Sequence, residues 1–547
     1  MSNKITFRSN INIGHNGAEN DGDFLFNCFV DHYALAELRD IGNSAMFILG
    51  STGIGKTALI RMIERLEPNS ARLELHDMSM SHISNSDTIN FMKGLDVDLS
   101  LLFQSLWRHV ICIEYIKSMK LAESSDKLRF HARRISDAVT GDRKRRTIES
   151  YFALNEKKFW NTIDENVIEF TTGFENNVSA EMGIEIEKNN ARAGYARSLS
   201  REKKTQLQQR AKKFVDSGLL AEQAQIISVL GDHSARSSAR HFLLIDGIDD
   251  NWVDVSLKYQ LVQALFEAVK AFQKIRNFKI IVALRNDVFE RMVMDSGVSK
   301  GQLEKYDDFI IRLKWTKPQL FSLADKRINH LFKWRYSSEN VHFPDIFKQS
   351  VDSRKDVFSY LVERTLNRPR DVINFISSTL QAAEGKSAVS KNDFLRGEGE
   401  YSNLRLKALR YEWQSAFPGI SVLLNILSHK PVYFGVAEFN TTKFIEELYD
   451  GMGREHAFQS DDIYQQINSS LAVGGRSIEA IDMIQVVFSR LNAVGAVGLK
   501  ISSAETWQWA HETGRPVPPP AIDLNTKVTI HPMLHFALHN VQRSRRE

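Results

Sequence analysis

Residues 50–57 read Gly-Ser-Thr-Gly-Ile-Gly-Lys-Thr, a GxxxxGK[ST] pattern, and no other feature restricts the chain as much. Such a loop works only between a buried strand and the first turn of a helix. Apolar Met46 to Leu49 precede it and the amphipathic stretch ALIRMIERL follows, so both supports are written in the sequence. Glycines let successive backbone N–H groups converge on an anion. The positive end of the helix dipole reinforces them. Gly50, Ser51, Thr52, Gly53, Ile54, Gly55, Lys56, Thr57 and Ala58 are therefore the expected nucleotide-binding residues. In loops of this kind the lysine, here Lys56, reaches the β- and γ-phosphates of ATP, and the threonine hydroxyl, Thr57, is a ligand of Mg²⁺.

A loop of this kind also needs a carboxylate at the end of a neighbouring strand. The apolar run His241–Ile245 supplies Asp246, the second expected Mg²⁺ ligand, followed by Gly247, Ile248, Asp249 and Asp250. Gly247 stands where a water-activating glutamate is usual. The base is then Asp249 or Asp250, unless these two simply cap the next helix. That helix carries Leu257, Leu261, Leu265 and Val269 on one face. A third apolar run, Phe278–Leu284, delivers Arg285 to the strand end where α/β sheets bind ligands, so Arg285 can report on the γ-phosphate. Strand, helix, strand in this order predicts a parallel sheet covered by helices. In Asn-Arg-Pro-Arg-Asp, 367–371, Pro369 marks the first turn of another helix, and Arg368 and Arg370 can reach the nucleotide from there. Each of these arginines has a competing structural reading.

The 547 residues suggest three to four domains. Hydrophobic residues make up 43% and charged residues 25%, which excludes a disordered or fibrous chain. Two distant cysteines, Cys28 and Cys112, form neither a disulfide scaffold nor a four-cysteine zinc site, and fit a reducing cytoplasmic setting. No apolar signal-peptide core and no membrane-spanning run is visible. Helical spacing predicts one helix over 24–40 and mostly helix over 85–121, where Leu95, Leu99, Leu102, Leu106 and Val110 recur. Leu207, Ala211, Phe214 and Val215 mark a further amphipathic helix. Residues 318–395 read as all-helical. The tail reads as helices and a hairpin whose loop, with RPVPPP at 515–520, excludes regular structure. The expected fold class is α/β. The core of 1–80 and 236–316 is interrupted by a mainly helical insertion, 81–235. A helical lid, 317–398, and a winged-helix-like domain, 399–547, follow.

Together these features resemble the STAND and origin-recognition branch of AAA+-like ATPases. More closely, the chain resembles a poorly characterised FunZ-like family of bacterial P-loop ATPases. The stretches LLIDGIDDNWVD (243–254), FKIIVALRNDVFERM (278–292), GQLEKYDDFIIRLKW (301–315), RTLNRPRDVINFI (364–376) and EYSNLRLKALRYEW (400–413) carry the likeness. The resemblance implies ATP binding with nucleotide-dependent switching, in a class often found in phage defence beside an effector. Self-assembly or docking of a partner protein fits that class. Related sequences often have a second acid directly after the first aspartate. The Asp-Gly pair here is familiar from NACHT-type switch ATPases and implies slow hydrolysis.

Charge is uneven although the whole chain carries only +4. Residues 127–146 are net +6 and residues 192–213 net +7. Such clusters meet nucleic acid or an acidic partner, or form an ordinary solvated face. A nucleic-acid-associated ATPase of initiator or transposition-regulator type is accordingly the rival reading, and a nucleotide-binding scaffold without turnover is a third. The expected recognition helix, Ser477–Leu491, is net −1, unsuited to reading DNA. His531 and His535 stand at i, i+4 but lack an evident third metal ligand.

Overall fold

A computed structural model describes residues 6–73, 99–125, 143–155, 205, 219–235, 238–248, 255–295, 306–335, 340–349, 351–473 and 479–539. Two short helices, α1 (Gly22–Asn27) and α2 (Tyr33–Arg39), precede β1 (Phe47–Gly50), α3 (Lys56–Leu66) and β2 (Ser70–Leu73). Helices α4 (Ser100–Ser125), α5 (Arg143–Asn155) and α6 (Leu219–Ser234) come next, then β3 (His241–Ile245), α7 (Val255–Phe272), β4 (Phe278–Arg285), α8 (Asn286–Asp295) and β5 (Ile310–Arg312). The helices α9 (Lys317–Arg335), α10 (Phe343–Ile346), α11 (Val357–Val362), α12 (Pro369–Ala382) and α13 (Lys391–Trp413) follow. The remainder comprises α14 (Ile420–Asn425), β6 (Tyr433–Gly435), α15 (Thr442–Gly453), α16 (Asp462–Val473), α17 (Ala480–Ala493), β7 (Val497–Lys500), the one-turn α18 (Ala510–Thr513) and β8 (Lys527–Ile530), with short 3₁₀ turns among them.

The chain forms two compact units, one of residues 31–51 and 56–313, the other of residues 1–30, 52–55 and 314–547. The first contains a five-stranded sheet in the order β2-β3-β4-β1-β5, with every pairing parallel. Strands β1 and β3 are buried throughout, as a parallel sheet covered on both faces requires. Alternate residues Phe47, Leu49, Leu243, Ile245, Ile280 and Val282 share one core with α4 and α7. By the two-residue period of a strand, Ile48, Leu244 and Ile281 face the opposite side, and α3 packs on β1, β2 and β4. Leu257, Leu261, Leu265 and Val269 are all buried, so α7 presents the predicted face. The indole of Trp107 ties α4 to α7 by donating to the Leu261 carbonyl at 2.9 Å.

Several expectations change. The single helix over 24–40 is two helices, because the chain is not helical between Cys28 and His32. His32 then caps α2, its Nδ1 accepting from Ala34 N at 3.2 Å. Helix α4 covers only the later part of the predicted 85–121 span; residues 85–98 lie outside the described residues, as does the helix marked by Leu207 to Val215. The proline-rich loop contains a 3₁₀ turn, Pro519–Ala521, since proline suits a first helical position.

In the second unit, residues 7–13 run beside α12. Phe7 N donates to Lys386 O at 2.8 Å, and Gly385 N to Phe7 O at 2.9 Å. The N-terminal residues thus group with helices far along the chain, whereas the sequence reading placed 1–80 together with the sheet. The expected boundary at 398 falls inside continuous α13. Where α13 crosses α12, a Cβ on Gly397 would lie 2.5 Å from the Thr379 Cα, so only glycine permits this approach. A three-stranded antiparallel sheet in the order β6-β8-β7 and helices α14 to α18 complete the unit. Among the described residues no helix is long and apolar enough to cross a membrane.

Burial holds several histidines neutral. It pushes His109 down to about 3 and His511 down to about 4, and lowers His531 and His535 as well. Between these values and the ordinary value near 6.5 the unfolded chain binds more protons, so stability falls as pH falls. The denaturant midpoint should therefore drop from pH 7 to pH 5, each histidine contributing about 1.4 kcal/mol per pH unit at most. An unchanged midpoint would contradict this.

Candidate functional site

Buried β1 ends at Gly50, and α3 begins at Lys56, so the octet occupies a strand-to-helix turn as expected from its spacing. Gly53 and Gly55 take φ of +79° and +108°, in the left-handed region that favours glycine. Lys56 is buried, and its Nζ donates to the carbonyls of Gly50 at 3.0 Å and Ser51 at 3.2 Å. Thr57 and Ala58 are half-buried in the first turn of α3, at the positive end of its dipole.

The sheet brings the other candidates to the same edge. Gly50 is the register partner of Arg285, so the arginine stands beside the first residue of the loop. Its guanidinium is forked onto Asp287, with Nε to Oδ1 at 2.9 Å and Nη2 to Oδ2 at 2.8 Å. Asp246 follows β3, which is separated from β1 by β4 alone. The Asp246 carboxylate is half-buried and accepts from Gly247 N at 3.0 Å. Asp249 and Asp250 lie outside the described residues.

In the other unit, the tip of the loop, residues 52–55, meets the helices. Arg368 Nη1 donates to Thr52 O at 2.7 Å, Arg370 N to Gly53 O at 3.3 Å, and Trp315 Nε1 to Ile54 O at 2.7 Å. A Cβ on Gly53 would lie 2.8 Å from the Arg370 Cβ, so this glycine is required for space as well as for its φ. Asn367, in the left-handed region at φ +53°, turns the chain into α12, whose first residue is Pro369.

Arg368 is itself buried. Nε and Nη2 donate to Asp371 at 3.0 and 3.2 Å, and Nη1 stands 3.4 Å from Glu412. Arg405 lies 3.4 Å from both acids. Burial pushes the Asp371 and Glu412 carboxyls up, but the Arg368 and Arg405 guanidiniums outweigh it and hold both below the usual range. Arg370 is lowered by burial, with its Nε donating to Asn16 O at 3.0 Å. Arg368 and Arg370 are thus at the loop, and the contacts they make there are with its carbonyls. Sequence reasoning missed Trp315, Arg405 and Glu412, although all three end or lie within stretches that carry the family likeness.

Other candidates separate from this region. Helix α17 buries Met483, Ile484, Val487 and Phe488, and its Arg490 donates to Asp461 at 2.8 Å. His531 follows β8 and accepts from Met533 N, while His535 Nε2 donates to Ile530 O at 3.0 Å, and the two flank the short 3₁₀ turn Pro532–Leu534, so the pair is not on one α-helix. Among the described residues no group of three or more His, Cys, Asp or Glu can hold a metal. Of the basic segments, residues 143–146 are described together; Lys144 pairs with Asp232 at 2.6 Å and Arg145 with Glu149 at 3.0 Å.

Residues 318–410, from α9 into α13, match the family of FunZ-associated C-terminal helical domains. No curated protein matches the chain. Among solved structures it is similar to a Walker-type ATPase of Pyrococcus abyssi, at 11% identity and a TM-score of 0.35, over 93% of this chain and 96% of that one.

Proposed function

We propose that the chain is a P-loop ATPase that binds ATP with Mg²⁺ at Gly50–Ala58 and acts as a slow nucleotide-dependent switch. The observation that carries this reading is the register of Gly50 beside Arg285, with Lys56 folded onto the loop it opens from. A strand, a glycine turn and a helix N-terminus give a donor set suited to phosphate, and Asp246 lies along the same strand edge. The residues fit the cofactor. The Thr57 hydroxyl and the Asp246 carboxylate would hold Mg²⁺, which when bound neutralises charge on the β- and γ-phosphate oxygens.

The chain's own groups do the rest. Loop N–H groups and the Lys56 ammonium bind and orient the phosphates. Arg285 is positioned to sense the γ-phosphate, which requires it to share its guanidinium with Asp287. Asp249 or Asp250 orients water. Arg370, half-buried at the loop tip, relays nucleotide state to α12. The three-stranded sheet with α14 to α17 supports a winged-helix-like reading of the C-terminal part. The family resemblance extends the proposal to a STAND-like or AAA+-like protein that self-assembles or docks a partner in bacterial antiphage defence. The pairing of Lys144 and Arg145 with acids of their own unit gives the nucleic-acid alternative less support.

The test is ATP binding by calorimetry with and without Mg²⁺. Asp246→Ala should weaken binding with Mg²⁺ by about tenfold or more, as loss of a charged contact does, and leave Mg²⁺-free binding unchanged. Equal loss in both conditions would remove Asp246 from the metal role. No binding by the wild-type protein would defeat the proposal.

A further inference from the structure

Three successive loop carbonyls, of Thr52, Ile54 and Gly53 between them, each receive one hydrogen bond from the helical unit to which the tip belongs. When backbone N–H groups converge on an anion, the carbonyls of the same peptides point away from it. Bonds to those carbonyls therefore act on the loop from the side opposite its ligand. We infer that Trp315 and Arg368, the latter held by Asp371 and Glu412, which Arg405 also pairs, are positioning residues that preset the phosphate-binding shape of the loop. The inference rests on the nucleotide reading of the loop and adds a dependence on residues that carry no phosphate chemistry themselves.

The geometry supports this in two ways. Arg368 has no slack: its Nε and Nη2 are fixed on Asp371, so Nη1 meets Thr52 O at a defined place. The Trp315 ring also lies 3.8 Å from where a Cβ on Gly55 would sit, so it supports the loop by contact as well as by its N–H. Glu412 is the outermost member, on α13, and acts through Arg368 and Arg405. A nucleotide-binding loop shaped in this way answers to the packing of α13, well over 300 residues along the chain.

The experiment measures ADP affinity by calorimetry, together with the Tm of nucleotide-free protein, for Trp315→Phe, Glu412→Gln and Lys56→Ala. Trp315→Phe keeps an aromatic ring and removes the Nε1 donor together with part of the indole. It should weaken ADP about five- to tenfold, the worth of one neutral hydrogen bond, with a nucleotide-free Tm close to wild type. Glu412→Gln should weaken ADP in the same direction. A purely structural role would lower Tm and leave affinity unchanged, and that result overturns the inference. So does wild-type affinity in Trp315→Phe while Lys56→Ala loses binding, which leaves the nucleotide reading standing. If Lys56→Ala binds ADP as the wild type does, the nucleotide reading itself falls. Should Glu412→Gln fail to fold, Trp315→Phe alone decides.

Discussion

Lys56→Ala is expected to lower ATP affinity on the order of 10²-fold, the scale of a charge-assisted contact to a multiply charged phosphate. The side chain is 8% exposed, so its ammonium is already withdrawn from bulk water before any ligand arrives. It rests on two carbonyls of its own loop, and binding exchanges those neutral acceptors for phosphate oxygens. In the absence of nucleotide the variant should lose the stability that the bonds to the Gly50 and Ser51 carbonyls contribute. Calorimetry with ATP, paired with thermal unfolding of the free protein, separates the two effects. Unchanged affinity in a folded variant would refute the assignment of the loop.

Arg368→Ala should weaken nucleotide binding through the loop and also lower stability by about 3–5 kcal/mol, as when one partner of a buried ion pair is removed. Asp371 is fully buried and would keep Arg405 at 3.4 Å and the Leu366 N–H at 3.0 Å, while Glu412 would lose one of three cations and keep Arg405 at 3.4 Å and Arg370 at 4.0 Å. Lysine should be a poor replacement, since a single ammonium cannot serve Thr52 O, both Asp371 oxygens and Glu412 from one position. The pH dependence has a defined sign. The folded-state pKa of Asp371 is depressed, so its contribution is present above the ordinary value near 4 and is lost as pH falls below it. The gap between wild type and variant should therefore narrow in acid. Denaturant unfolding at pH 7 and pH 3.5 measures it, and a gap that widens in acid would contradict the buried-pair account.

Local signals made the sheet edge readable. Buried parallel strands appear as short unbroken apolar runs, and three such runs ended in Gly50, Asp246 and Arg285, where the strands end or have just ended. The break at Cys28–His32 gave no such signal: the stretch has neither glycine nor proline, and Leu25, Ala34 and Leu38 are buried on either side of it. The expected boundary at 398 fails for the opposite reason, since Gly397 weakens an isolated helix but serves a close crossing within continuous α13. The contacts at the loop tip were beyond reach of any pattern. Arg368 and Thr52 are 316 positions apart, and nothing in an arginine's neighbourhood tells whether it will face a phosphate or a carbonyl. Trp315 and Glu412 are of residue types that sequence reasoning assigns to core and surface.

The pairing of residue 7 with residues 385 and 386 also sets an order of assembly. Synthesis runs at about 5–20 residues per second, so the first segment waits on the order of tens of seconds for its partners to be made. Phe7, Ile11 and Ile13, all buried in the finished protein, spend that interval without their core, open to chaperones or to wrong contacts. The sheet-bearing unit has no such delay, because residues 31–51 and 56–313 are complete before α9 emerges. Four residues between those two segments, 52–55, belong to the later event. The octet that most clearly marks this chain is thus translated early and shaped late, when Trp315, Arg368 and Arg370 finally take hold of it.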